Sequence, residues 1–286
     1  MTEKEKFMYQ IMGNISASEA PIVFKGALIT KLILNEGGYT AVERQTKDID
    51  ANWVGAPPSM DALVDTINNS FNDLKSRIYA VPFRDYGEKI SAGISIRERQ
   101  TDEEIISMDI DMRPIHGSKI YKYGEICIRG VLVNAILADK ITVLSERMVF
   151  RRAKDMVDVY ALSHCVKVNT SEIYEVFGRN PDREIGKFAE FIHRRQDVEH
   201  AYEKLRGIEN KPPFEQVYEY LRHFIHPFIN EDKKPRVWNS KKLTWDAEPV
   251  TRNRTFKEKL ADGKKKAAEY DTDQPQPKRG KSGPEF

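Results

Sequence analysis

Over the first half of the chain, apolar and polar residues alternate in short runs that turn residues interrupt. Residues 21 to about 130 contain six runs rich in β-branched and aromatic residues, a pattern typical of β-strands. Two segments between these runs place apolar residues three and four positions apart, which favours amphipathic helices. The predicted strands are PIVFKG, TAVERQTKDIDANW, RIYAVPF, EKISAGISIRE, EEIISMDIDMRPI and GEICIRG, and the predicted helices are KGALITKLILNE and SMDALVDTINNSFNDLKS.

The next stretch, from about Val131 to Phe228, has the helical period almost throughout. Its helical segments are LVNAILADKITVLSERMVF, AKDMVDVYALSHCV, TSEIYEVFG, REIGKFAEFIHRRQDVEHAYEKLRG and FEQVYEYLRHFIHPF. No internal repeat is found. The pattern therefore predicts an α+β protein in which a mixed α/β core over residues 1–130 is followed by a helical domain over residues 131–230.

The last segment, residues 231–286, differs in composition. It holds fifteen Lys and Arg against ten Asp and Glu, whereas the whole chain has 46 against 44. Its end, GKKKAAEYDTDQPQPKRGKSGPEF, has too few large apolar residues to offset the entropy of ordering, so we predict a basic, partly disordered tail. Such a tail is a solvated segment, a non-specific RNA contact or, at its extreme end, a cloning remnant. Before it, Trp238 and Trp245 predict a strand or strap that packs back on the body.

Composition excludes several protein classes. The 286 residues are 40% hydrophobic and 31% charged, as in an average globular protein, and the net charge of +2 is too balanced for a general nucleic-acid coat. No run approaches the roughly 18 uncharged apolar residues of a membrane helix, and the opening MTEKEKFMYQ lacks the pattern of a secretory leader. We therefore expect a cytoplasmic protein without membrane contact. The two cysteines and six histidines lack the spacing of a zinc site.

The most informative strand contains two carboxylates, Asp48 and Asp50. Side chains in a strand repeat every two residues, so both leave the same face. Adjacent carboxylates repel and raise each other's pKa, and the arrangement makes chemical sense if a divalent cation lies between them. Mg²⁺ is the natural ion, because it is usually held by one or two carboxylates together with substrate phosphates. The alternative is a polar edge strand or turn, since Asp-x-Asp is frequent by chance.

A second Asp-x-Asp pair, Asp109 and Asp111, lies in another predicted strand. Ile106, Met108, Ile110 and Met112 would line the opposite face of that strand. If the two strands are neighbours, three or four carboxylates converge, which is the composition of a phosphoryl-transfer site with two metal ions. Either Asp109 or Asp111 would then be the third catalytic acid, which would help to deprotonate an attacking hydroxyl, and the other would be a solvated residue at the strand end.

Upstream, Lys25, Gly26 and Ala27 join an apolar run to an amphipathic helix. Glycine at a helix start lets backbone N–H groups approach a phosphate, aided by the positive end of the helix dipole. A single glycine before a helix is also a common simple turn.

Three motifs, taken in their order along the chain, resemble those of the nucleotidyltransferase superfamily of DNA polymerase beta and the CCA-adding enzymes. They are Lys25-Gly26-Ala27, Arg44-x-Thr46-x-Asp48-Ile49-Asp50 and Asp109. More closely, the phrases FKGA, ERQTKDIDANW and ILADKITVLSERMVFRRAKDMVDVYAL resemble the AbiEii/AbiGii toxin family over residues 24 to about 162. Two departures are Ala27, where the family often has Gly or Ser, and a long connection from Gly26 to Asp48 that includes Asn35-Glu36-Gly37-Gly38.

The resemblance implies a polymerase-beta-like nucleotidyltransferase sheet with helices, followed by a C-terminal helical bundle. It further implies an NTP substrate, Mg²⁺ or Mn²⁺ held by Asp48, Asp50 and Asp109, an RNA acceptor with tRNA first, and a toxin with a cognate antitoxin in phage defence. The catalytic residues carried over are Asp48, Asp50, Asp109 and Asp111, and the nucleotide-binding residues are Lys25, Gly26, Ala27, Thr46, Lys140, Arg147, Arg151, Lys154, Asp155 and Asp158.

The helical part of this set also has a physical interpretation. If one continuous helix spans it, Lys140, Arg147, Arg151 and Asp158 fall within a narrow sector, which makes a stripe of cations for a triphosphate. Asp158 would hold Lys140, Lys154 or an arginine in place. The alternative is an exposed charged face with i,i+4 pairing, and a helix break near residue 150 would spoil the geometry.

Two other functions remain open at this point. The first is the same chemistry on a small-molecule or protein acceptor. The second is a catalytically inactive module that binds a nucleotide or another protein. The presence of Asp48, Asp50 and Asp109 argues against this alternative, because a binding module would not need three carboxylates. For an RNA acceptor, His193-Arg194-Arg195, Arg206 and the basic tail would contact phosphates, although helical arginines are usually solvated.

Overall fold

In the computed structural model, residues 2–86, 90–146, 152–178 and 185–248 are described. The strands are β1 (Ile22–Lys25), β2 (Glu43–Arg44), β3 (Asp48–Trp53), β4 (Ile78–Arg84), β5 (Ser91–Glu98), β6 (Glu104–Asp111), β7 (Ser118–Tyr123), β8 (Ile126–Val131), β9 (Ile208–Glu209), β10 (Arg236–Asn239) and β11 (Thr244–Ala247). The helices are α1 (Glu3–Ala17), α2 (Gly26–Glu36), α3 (Met60–Ser70), α4 (Val133–Ser145), α5 (Ala153–Cys165), α6 (Thr170–Gly178), α7 (Ala189–His193), α8 (Arg195–Glu203), α9 (Phe214–Phe224) and α10 (His226–Ile229), and a 3₁₀ helix spans Asn72–Ser76.

Within these ranges, seven strands form a mixed sheet in the order β4-β5-β6-β3-β1-β8-β7. β3 is parallel to β6 and β1 is parallel to β8, whereas the other neighbours are antiparallel. The fold is α+β, as the sequence predicts. Each predicted strand segment overlaps one or two of the observed strands, because the apolar alternation matches the burial. In β6, Ile106, Met108 and Ile110 are fully buried.

Two elements of the sheet half are missing from the predicted set. α1 begins with a capping box, in which the Thr2 hydroxyl accepts from the Glu5 backbone N–H and the Glu5 carboxylate accepts from the Thr2 N–H. Thr2-x-x-Glu5 is a sequence signal for this helix start. β7 has a weak signal, since it is an edge strand in which Tyr121 is buried between exposed residues such as Lys119.

The helical half begins at α4, which packs against α5 and α6. α4 ends at Ser145, where Glu146 takes an extended conformation, and α5 begins at Ala153. One continuous helix across this region, which was the condition for a single cationic stripe, is therefore not formed. The described part of the predicted helical segment at 183–207 likewise contains two short helices, α7 and α8, because the chain leaves the helical conformation at Arg194.

Near the end of the described residues, β10 and β11 form a hairpin that packs against the helical half. Trp238 is buried, and the rings of Trp238 and Trp245 each contact Phe224. The predicted strap is thus confirmed, and residues up to Glu248 belong to one compact unit. The remainder of the predicted tail, residues 249–286, lies outside the described residues. The domain boundary between residues 130 and 131 stays a prediction.

In the described segments, none of the helices has the length and apolar character needed to cross a membrane.

Candidate active site

One transverse row of residues crosses five strands of the sheet and carries most of the site. Arg84 lies opposite Gly93, Gly93 opposite Asp109, Asp109 opposite Asp50, and Asp50 opposite Lys25. Residues that are partners across neighbouring strands point to the same face. We call these five residues the charged row. Two carboxylates at its centre are therefore flanked by a cation on each side.

Asp48 lies beside the row, two residues before Asp50 on the same strand face. The Thr46 hydroxyl donates a hydrogen bond of 2.8 Å to Asp48 Oδ1, which fixes the orientation of this carboxylate. Burial raises the pKa of Asp50, and the negative charge of Asp48 raises it further. The repulsion expected from the sequence is thus present in the fold.

Gly26 begins α2 directly beside Asp50. Its φ of +71° is in the left-handed region, and a Cβ at this position would lie 2.0 Å from Asp50 Oδ2. Glycine is therefore required for two reasons, the backbone conformation and the close approach of the carboxylate. The N-terminus of α2 lies against the same carboxylate.

Asp111, one of the two candidates for the third acid, is part of an ion-pair network with Lys25 and Arg113. It accepts from Lys25 Nζ at 2.9 Å and from the Arg113 guanidinium at 2.5 to 3.0 Å, and its side chain is only 7% exposed. Burial raises the pKa of Asp111, but the hydrogen bonds and charges of Arg113 and Lys25 outweigh burial and lower that pKa to about 2. Asp111 is thus held by two cations, whereas Asp109 lies in the charged row directly opposite Asp50.

Lys140 lies at the centre of a second ion-pair network, between α4 and α5. Its Nζ contacts Asp155 Oδ1 at 3.0 Å and Asp158 Oδ2 at 2.6 Å, and Arg44 binds Asp158 through two hydrogen bonds of 3.1 Å. Burial lowers the pKa of Lys140, but Asp158 and Asp155 together outweigh burial and raise it.

This arrangement corrects the predicted cationic stripe. Lys140 and Asp158 meet across two helices instead of along one, because the chain leaves the helix after Ser145. The pairing of Asp158 with Lys140 and with an arginine is formed as expected. Arg147 and Arg151, the other members of the stripe, lie outside the described residues.

A cleft of about 440 Å³ brings most of the predicted residues together. The predicted residues that line it are Lys25, Gly26, Ala27, Asp48, Asp50, Asp109, Lys140, Lys154 and Asp155. Thr46, Asp111 and Asp158 do not line the cleft, but each forms a hydrogen bond with a residue that does. Lys154 is exposed. Its positive charge acts to lower the pKa of Asp50, but burial has the larger effect and the pKa is raised overall.

Several residues of the cleft are absent from the predicted set. The lining also includes Arg44, Arg113, Ile136, Asp139, Thr142, Val143, Glu146 and Arg152. Arg84, which does not line the cleft, is also absent from the predicted set, although its Nη2 donates to Asp109 Oδ1 at 2.5 Å. Arg44 is part of the motif that carries the family resemblance, whereas Arg84 has no sequence signal, because only strand pairing places it beside Asp109. Arg194, by contrast, pairs with Glu190 and Asp197 on the surface.

A comparison with protein families decides the identity. Residues 10–238 match the family described as the nucleotidyl transferase AbiEii toxin of a type IV toxin–antitoxin system. The chain belongs to the AbiEii family. It is accordingly a nucleotidyltransferase toxin, and this membership implies an NTP substrate and a cognate antitoxin.

Three solved structures are similar to this AbiEii protein. JHP933 of Helicobacter pylori has 15% identity and a TM-score of 0.49 over 81% of this chain and 95% of its own. The nucleotidyltransferase toxin MenT4 of Mycobacterium tuberculosis has 14% identity and a TM-score of 0.48 over 76% and 79% of the two chains. An antigenic nucleotidyltransferase-like protein of Paracoccidioides brasiliensis has 12% identity and a TM-score of 0.41 over 64% and 94%. Among curated proteins, none matches.

Proposed function

We propose that this AbiEii toxin transfers a nucleoside monophosphate from an NTP to a hydroxyl group of RNA, with tRNA as the first acceptor to test, and that the reaction depends on a divalent metal. The observation that carries the proposal is the pairing of Asp50 with Asp109 across parallel strands, with Asp48 on the same face. Three carboxylates therefore border one cleft whose other walls supply cations.

The donor chemistry fits Mg²⁺, or Mn²⁺ in its place. Asp48, Asp50 and Asp109 would hold it, because carboxylate oxygens are the ligands that these ions prefer. Among the described residues, no group of three or more His, Cys, Asp or Glu side chains is close enough together to hold a metal ion. Asp109 contacts Arg84 instead. When bound, the ions neutralise phosphate charge and favour ionisation of the acceptor hydroxyl. Burial raises the pKa of Asp50 and the charge of Asp48 adds to this effect, which supports the proposal because functional sites often gather carboxylates in buried places.

The chain's own residues position the reactants. Lys154 and Arg152, exposed at the cleft, bind the triphosphate, and Lys140 holds Asp155 and Asp158 so that the α4–α5 wall keeps its shape. Asp109 accepts the proton of the acceptor hydroxyl. The acceptor oxygen then forms a bond to the α-phosphorus, the bond from that phosphorus to the bridging oxygen breaks, and pyrophosphate leaves with the electron pair.

The test compares the wild type with Asp48→Asn and with Asp65→Asn, a matched control on the exposed face of α3. Each protein is incubated with Mg²⁺, one labelled NTP at a time and total tRNA. We expect label in RNA with the wild type and the control but not with Asp48→Asn. Transfer to a non-RNA acceptor alone would overturn the RNA part of the proposal, and equal transfer by Asp48→Asn would overturn the assigned site.

A further inference from the structure

An exposed aromatic ring lies on the carboxylate face of the sheet, next to the charged row. In the β4–β5 ladder, Pro82 pairs with Ile94 and Arg84 with Gly93, so Phe83 has no partner and forms a β-bulge. Its side chain is 52% exposed. Bulges commonly redirect a side chain near an active site.

The position of Gly93 shows where the ring lies. A Cβ at Gly93 would be 2.5 Å from Phe83 Cζ, so the ring covers the place where a side chain of Gly93 would be. Gly93 is the direct partner of Asp109, and partners point to the same face. The ring of Phe83 and the carboxylate of Asp109 are therefore on the same face.

Arg84 links the ring to the carboxylate. Its guanidinium donates to Asp109 Oδ1, and its Cζ lies 5.7 Å from the centroid of the Phe83 ring. The missing side chain at Gly93 leaves the space that the Phe83 ring fills. A ring, a guanidinium and the third acid are thus gathered at the β4 edge of the sheet.

This group borders the carboxylates from the side opposite to Gly26. Gly26, at the start of α2, borders Asp50 from the β1 side, whereas Phe83 and Arg84 border Asp109 from the β4 side. If the triphosphate binds among the cations near Gly26, the attacking hydroxyl approaches from the other side. An exposed aromatic ring beside an arginine is the chemistry that binds an unpaired nucleotide, by stacking on the base and pairing with the phosphate.

We propose that Phe83 stacks on the terminal base of the RNA acceptor and that Arg84 binds the phosphate of the same nucleotide. This inference rests on the proposed function, because it assigns the acceptor side of the same site. It makes Phe83 a determinant of RNA affinity and leaves NTP binding to the opposite wall.

The test uses Phe83→Leu, which keeps apolar volume but removes the ring, and Phe83→Trp, which restores an aromatic surface. Ile120→Ala is the matched control, since Ile120 is equally exposed but lies on β7 at the opposite edge of the sheet. The KM values for RNA and for NTP are measured separately. Binding is measured in parallel with a short oligoribonucleotide whose terminal base is a fluorescent adenine analogue, which stacking quenches.

We expect Phe83→Leu to raise the KM for RNA by about tenfold, the effect of one lost base stack, and to abolish the quenching. Phe83→Trp restores both, and the KM for NTP stays unchanged in each variant. An unchanged KM for RNA in Phe83→Leu, or a change confined to the KM for NTP, would overturn the inference while the proposed function stands. Failure of the wild type to bind or label RNA would instead overturn the proposed RNA acceptor, and this inference with it.

Discussion

Gly26 and Asp50 approach each other so closely that a Cβ atom on the glycine would lie 2.0 Å from Asp50 Oδ2. The glycine turn and the carboxylate pair, which are separate motifs in the sequence, are therefore a single packing unit in the fold. Whatever moves the turn also moves the carboxylate at the centre of the charged row.

Gly26→Ala tests this unit. The substitution forces a left-handed alanine, at a cost of about 1–2 kcal/mol, and also displaces the Asp50 carboxylate. We expect nucleotide transfer to fall by about 100-fold, because misplacement of a reacting group by about 1 Å has effects of that size. Initial rates and thermal unfolding are measured on the same preparations.

Gly38→Ala is the control for backbone strain. Gly38 has a φ of +68°, close to that of Gly26, but a Cβ there would meet nothing within 4 Å. A similar loss of stability with retained activity is expected. Equal activity loss in both variants would show that strain, and not the contact with Asp50, accounts for the effect.

Asp111→Asn tests the ion-pair network with Lys25 and Arg113. The pKa of Asp111 is lowered to about 2 in the fold, so the folded state binds the proton less tightly than the unfolded state. The carboxylate therefore contributes stability at pH values above its unfolded pKa, and this contribution is lost as pH falls from about 4 towards about 2. A shift of this size corresponds to about 2.5 kcal/mol.

Urea unfolding of the wild type and of Asp111→Asn is followed from about pH 7 downwards. The difference in the free energy of unfolding is expected to be constant near neutrality and to shrink below about pH 4. Glu36→Gln, which breaks the exposed pair with Lys119, serves as the comparison and should cost less than about 1 kcal/mol at any pH. A pH-independent effect of Asp111→Asn would contradict the assigned pKa direction.

Lys140 and Lys154 both line the cleft, and we expect opposite consequences from replacing them. Lys140→Gln removes the cation shared by Asp155 and Asp158 and should destabilise the fold by about 3 kcal/mol. Lys154→Gln changes an exposed side chain and should leave stability unchanged while the KM for NTP rises by about tenfold. Thermal unfolding and NTP titration separate the two, and the reverse pattern would refute these roles.

Removal of divalent metal is expected to abolish transfer without unfolding the protein. Activity should return when Mg²⁺ or Mn²⁺ is added. Mn²⁺ binding is measured by electron paramagnetic resonance. We expect the affinity for Mn²⁺ to fall by at least about tenfold in Asp50→Asn, because one of three ligands loses its charge. Asp65→Asn, on the exposed face of α3, should bind Mn²⁺ as the wild type does. Full activity in excess chelator would rule out the metal-dependent mechanism.

The sequence by itself determined most of the strand pattern and which carboxylates share a strand face. Alternation in β6 placed Ile106, Met108 and Ile110 inside and Asp109 on the other face, because strand periodicity follows directly from backbone geometry. Asp48 and Asp50 are identifiable for the same reason. The start of α1 could also be predicted from Thr2 and Glu5, since a capping box is a local sequence signal.

Tertiary structure alone decided which groups meet. Asp109 and Asp111 share a face in the sequence pattern, and only the pairing with β3 and the positions of Lys25 and Arg113 give them different surroundings. The contact of Lys140 with Asp158 required the chain to leave α4 after Ser145. Arg84 contacts Asp109 only because the register of β4, β5 and β6 places them on either side of Gly93. Such relations depend on strand register and helix packing, which arise from contacts between residues far apart in sequence.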